Sequence, residues 1–170
     1  MTLVAVDVVK ERIDGAMRMF RAAERRTDAL LDRTSHLRDS GTTAVLGDEG
    51  WEQYMFWLVC VRQIGVSISE AARAAGSPSA FQEWWDGLAQ DATHAFFWKE
   101  RNEVLKETAD TITIRSTTDG FGNEIGYWVF KGGPHAGLPL VPVCQQYNEW
   151  LYRKLLGPAR EKLYWIASAS

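Results

Sequence analysis

Val9, Ile13, Ala16, Phe20, Ala23, Thr27, Leu30, Thr34 and Leu37 recur at alternating spacings of four and three residues. That spacing draws one seam down one side of a single long helix. A helix of this kind needs a partner face to bury its seam, so the remainder of the chain must supply further helices. Asp7 is the expected N-cap, and Ser40-Gly41 the expected stop. Residues 1–40 also carry eight basic and seven acidic side chains. Interspersed signs, such as Asp14/Arg18 and Arg25/Asp28, read as a solvated face and not as a phosphate-binding stripe. The two threonines in the seam favour a helix packed within a bundle over a dimeric coiled coil.

The segment from Trp51 to Ala75 predicts a second long helix. It is apolar nearly all round in its first half, which marks it as central. Gly76 to Ser79 ends it. A short helix over FQEWWDGLAQ leads into a fourth from about Thr93 to Thr108. The period then changes: TITIRS and EIGYWVFK alternate around the turn-forming TDGFGN, which predicts a β-hairpin at about 111–131. After the loop GGPHAGLPLVP, a last long helix spans Val143 to about Leu156, kinked or broken at Pro158. The expected fold is therefore mainly α. It is a helical bundle of four to five helices with a small inserted β-hairpin, forming one domain over residues 1–170.

Composition is that of an ordinary globular domain, and a net charge of −3 argues against a broadly basic nucleic-acid-coating surface. Cys60 and Cys144 make no disulfide framework, and Cys60, within YMFWLVCV, reads as a small core hydrophobe. The N-terminus lacks signal-peptide character. The uncharged run Tyr54–Val61 stops at Arg62, too short to cross a bilayer. A reducing cytoplasm is the expected setting.

Several chemistries find little purchase. His36, His94 and His135 stand at no metal-ligand spacing, and no Cys or His partners either cysteine, so neither metal nor cofactor is expected. GFGNEIG lies in a hairpin turn, so it is no phosphate loop, and no nucleophile elbow is present. His135 is expected to be exposed in a flexible loop. SISEAARAAGSPSAFQEWW resembles a helix-turn-helix, but its turn is one residue short. Its would-be recognition segment carries Glu83, Asp86 and Asp91 with no Lys or Arg, the wrong sign for DNA.

One motif remains. In HAFFWKERNEVLKE, Ala95, Trp98, Asn102 and Leu105 share a helical stripe, with Phe97, Arg101 and Val104 on the adjacent one. Arg101 and Asn102 are thus expected to point toward aromatics, where a guanidinium needs a carboxylate, a ligand or a partner. FFWKERNEVLKE in a helical bundle resembles the HEPN superfamily, whose all-α domains carry an Arg followed four to six residues later by His. The residue after that Arg is often Asn, as Asn102 is here. The long first helices, the short Trp-bearing segment at 83–85 and the long last helix are similar too.

This resemblance implies a site that works across a dimer as a metal-independent ribonuclease in active members. There Arg and His polarise the phosphate and move the 2′-hydroxyl proton, and a group titrating near neutrality is needed. Here Lys106 stands in place of the His, and a lysine moves protons poorly at neutral pH. His94, two turns before Arg101, is the remaining imidazole candidate. The expectation is therefore a non-catalytic HEPN-like domain that binds a protein, nucleotide or RNA. Arg101, Asn102, Lys106 and Trp98 would form the site, with a homodimer or a protein partner and no membrane. The alternatives are a ribonuclease of toxin–antitoxin or defence type and, less favoured, a DNA-binding regulator.

Overall fold

The computed structural model describes residues 3–40, 48–76, 78–104, 111–118, 120–122 and 124–169. Side chains at 3–5, 31–40, 48–49, 78, 80–81, 100–104, 124–125 and 164–169 lie outside that description. The fold is mainly helical with one two-stranded antiparallel sheet, as the periodicities predict. Helix α1 runs Leu3–Ser40, α2 Asp48–Ala74, α3 Pro78–Ala89 and α4 Ala92–Val104. Strands β1 (Ile112–Thr118) and β2 (Glu124–Phe130) follow. A continuous last helix comprises α5 (Leu140–Trp150), a π-helical stretch (Leu151–Leu156) and α6 (Gly157–Ala169).

The seam on α1 is buried from Val9 through Leu30 at every position named above, while Thr34, Leu37 and His36 fall outside the described side chains. Its N-terminus differs from expectation. The helix already begins at Leu3, so Asp7 is an exposed residue within it and not its cap.

α1 packs antiparallel against α2, with Arg12 Nη1 3.0 Å from Glu70 Oε2 near one end and Arg26 donating to Gln53 Oε1 at 3.0 Å near the other. α2 supplies Tyr54, Trp57, Leu58, Val61, Ile64 and Ile68 to the core. It is not buried all round, however. Phe56 and Val59 are exposed, and the Arg26 guanidinium lies over the Phe56 ring at 5.0 Å. Arg62 does not limit the apolar segment as the run Tyr54–Val61 implied. Gly50–Ala74 is long and apolar enough to cross a membrane by length and composition, and 56% of its most apolar window is buried in the protein.

The hairpin forms over the expected residues, its strands pairing antiparallel from Ile112 opposite Phe130 to Thr118 opposite Glu124. Its inner end is extended by the following loop, which folds back on β2. Phe130 N–H donates to Leu138 O at 3.1 Å, and Gly137 N–H to Phe130 O at 2.8 Å. Gly133 makes the fold-back turn with φ +73°, and a Cβ there would strike the Phe96 ring. Both the left-handed backbone and the close approach demand glycine.

Pro158 neither breaks nor ends the last helix, which continues to Ala169. Gly157 N–H bonds to Tyr152 O, five residues back, so the preceding turn is widened. A widened turn accommodates a proline that lacks an N–H and whose ring would crowd a regular turn.

Candidate functional site

α4 is fixed at its N-terminus by Asp91. One carboxylate oxygen accepts the N–H groups of Thr93 (2.9 Å) and His94 (3.0 Å), a side-chain cap for otherwise orphan donors. The other accepts Trp150 Nε1 at 3.0 Å, which ties α4 to α5. Between these anchors sits His94, 2% exposed. Its Nδ1 lies 2.7 Å from Tyr147 Oη, and its ring stacks on Trp150 with centroids 4.7 Å apart. Trp98 lies at 5.6 Å on another side, with Trp85 edge-on to it at 5.4 Å. The helix is thus held by a group of aromatic side chains, and His94 is a buried member of it. Tyr147 and Trp150 lie far from His94 in sequence, so no local pattern announced them, whereas Asp91, three residues before it, carries the ordinary N-cap signal of an acidic residue at a helix start.

Arg101 and Asn102 occupy the last turn of α4, and their side chains, like the whole of Lys106, lie outside the described residues. Trp98, one turn earlier, is half-buried against Gly65 of α2.

A second polar feature crosses the core. Trp57 Nε1 donates to Asn148 Oδ1 at 2.9 Å, Asn148 Nδ2 donates to Thr27 Oγ1 at 3.2 Å, and Thr27 Oγ1 donates to Glu24 O at 2.7 Å. This chain explains a threonine in an otherwise apolar seam. A buried amide costs stability unless its donors and acceptors are used, and here three helices use them.

Thr27 and Asn148 also line the inner wall of an open groove of about 1010 Å³ between α1 and α5. Its apolar surface is Met17, Phe20 and Tyr152, and its rim mixes Arg21, Arg25 and Arg153 with Glu24, Asp28 and Glu149. Two smaller hollows continue it past Met17 toward α6. One, of about 420 Å³, is lined by Ile13, Asp14, Met17, Arg18, Arg21 and Arg160. The other, of about 440 Å³, is bounded by Tyr152, Leu156 and Glu161 among others.

His135 departs from its expected exposure. The ring is packed 5.2 Å from Phe96, 5.7 Å from Phe97 and 5.7 Å from Phe130, and its buried Nε2 has no hydrogen-bond partner among the described residues. Burial lowers its pKa below the usual 6.5. The unfolded chain therefore takes up this proton first as pH falls. Its contribution to stability is complete above the unfolded value, declines as pH drops below it, and stops changing below the folded-state pKa. Urea midpoints at about pH 7.5 and pH 5.5 should thus fall more for the wild type than for His135→Phe. Equal falls in both would mean that the ring is not held neutral by its cage.

Both cysteines are free thiols. Burial pushes Cys144 well up, and pushes Cys60 up against the opposing pull of Arg26 and Arg25. Neither is poised as a thiolate. No group of three or more His, Cys, Asp or Glu side chains that could hold a metal ion occurs among the described residues. Comparison with family models, curated proteins and solved structures finds no match for the chain.

Proposed function

We propose that the chain is a cytoplasmic, HEPN-like binding domain without catalytic activity, which takes a protein, nucleotide or RNA at the C-terminal end of α4. Arg101, Asn102 and Lys106 would supply the polar contacts there, with Trp98 beside them. The supporting observation is the state of His94, the sole imidazole on α4. Its Nδ1 is engaged by Tyr147 and its face is covered by Trp150. Lys106 stands in the position where the resembled motif has His, and among the described side chains of α4 no exposed group titrates near neutrality. DNA is disfavoured by α3, which presents Glu83 and Asp86 to solvent.

RNA incubated with the protein in EDTA should remain intact. A labelled single-stranded RNA followed by anisotropy, and self-association followed by sedimentation, then probe the binding side. Arg101→Ala is expected to weaken whichever of these is found by about tenfold or more, while its urea midpoint stays close to that of the parent. Cleavage that vanishes in Arg101→Ala with folding intact would replace this reading with a metal-independent ribonuclease. A loss of several kcal/mol in that variant would instead make Arg101 a structural residue with a buried carboxylate partner.

A further inference from the structure

We propose that the hollow between α1 and α6 is an anion site, in which Arg18, Arg21 and Arg160 hold a phosphate group carried on an apolar or aromatic body. Two arginines of α1 are engaged with α2: Arg12 pairs with Glu70, and Arg26 engages Gln53 and the Phe56 ring. Arg18 and Arg21 line, together with Arg160 of α6, a hollow of about 420 Å³. None of these three makes an ion pair or hydrogen bond among the described residues. Against three guanidiniums the hollow sets one carboxylate, Asp14, in a chain whose net charge is −3.

Like charges gathered from two helices repel one another, and a bound anion relieves that repulsion. Arginine suits the role because its planar fork matches phosphate oxygens two at a time and stays charged at every accessible pH. Arg18 and Arg21 are three apart on one helix, so they rise from the same face.

The neighbouring groove says what the phosphate is attached to. Met17 borders all three hollows, and beyond it lie Phe20, Tyr152 and Leu156. Tyr152 is 50% exposed and packs 5.6 Å from Phe20, leaving ring surface open beside the arginines. Farther along, arginines and carboxylates are equal in number on the rim, so the anion belongs at the α6 end. None of the residues at the end of α4 takes part, and this site and the α4 reading can fail separately.

Calorimetric titration of the full chain with phenyl phosphate, inorganic phosphate and phenol tests the proposal. Phenyl phosphate should bind saturably at one site, severalfold more tightly than inorganic phosphate, and phenol should not bind. Arg18→Gln and Arg160→Gln should each weaken phenyl phosphate about tenfold or more, and added salt should weaken it too. Asp14→Asn should tighten it, a gain that misfolding cannot produce. No saturable binding of either phosphate up to roughly 10 mM, or binding indifferent to the arginine variants, overturns the site. Equal affinity for phenyl phosphate and inorganic phosphate overturns the apolar half of the assignment.

Discussion

Trp57→Ala is expected to lose about 4–8 kcal/mol of unfolding free energy, a large share of the roughly 5–15 kcal/mol that holds a typical domain. Trp57 is 0% exposed. It stacks on Tyr54 at 6.0 Å and meets the edges of Phe97 at 5.0 Å and Tyr147 at 5.9 Å. Truncation leaves a cavity among rings that cannot collapse into it, worth about 3–5 kcal/mol. It also strips Asn148 Oδ1 of its indole donor, and a buried acceptor left unmade costs roughly a further 1–3 kcal/mol. Trp57→Phe separates the two contributions, since it keeps much of the ring and removes the N–H. Urea unfolding followed by circular dichroism should place it between wild type and Trp57→Ala. A Trp57→Phe variant as stable as the parent would mean that the polar chain through Asn148 adds nothing. A loss below about 2 kcal/mol in Trp57→Ala would remove α2 from the centre of the fold.

The second large effect is expected at Gly65, where the reason is space and not backbone angle. A Cβ at this position would lie 2.7 Å from Trp98 Cζ3 and 2.9 Å from Trp98 Cη2. Trp98 cannot simply swing away, because Trp85 at 5.4 Å and His94 at 5.6 Å hold it, and His94 is itself stacked on Trp150. Gly65→Val is therefore predicted to cost about 2–3 kcal/mol, toward the upper end of overpacking penalties. The atoms in conflict belong to the six-membered part of the indole, which phenylalanine lacks at that reach. Trp98→Phe should then recover part of the loss in the Gly65→Val background, while destabilising the parent. If the two changes add without interaction, the contact between Gly65 and Trp98 does not govern this packing.

The periodic parts of this fold were legible because a buried stripe leaves a spacing. The seam Val9 to Leu30 and the alternation of TITIRS against EIGYWVFK are of this type, and both are observed. What depends on convergence across the chain left no such mark. Tyr147 and Trp150 meet His94 only after α5 folds beside α4, and nothing near His94 in sequence encodes them. Arg18, Arg21 and Arg160 look like ordinary surface charges, since opposite signs lie near them along the chain. Their convergence appears only when α6 lies beside α1. His135 follows the same logic. Gly and Pro around it signal an exposed loop, and the Phe96, Phe97 and Phe130 rings that half-bury it come from two other elements.

The last helix shows a different failure of pattern. Leu151, Leu155, Ala159 and Leu163 are all buried, each four residues after the last. In a regular helix of 3.6 residues per turn, a step of four drifts about 40° around the axis, so three steps carry a side chain roughly 120° out of the core. The widened turn at Leu151–Leu156 absorbs part of that drift.

Chain length in that turn is consequently a setting of angle. Each residue of a regular helix advances the direction of everything after it by about 100°. The widened turn uses one residue more than a regular turn for about the same rotation, so α6 keeps the direction that a regular helix one residue shorter would give it. Wound as a regular helix, the same residues would carry α6 about 100° further round, with Leu163 away from the core and Arg160 away from Arg18 and Arg21. The surplus residue works like an offset between two gears: it leaves both helices regular and decides which of their teeth meet.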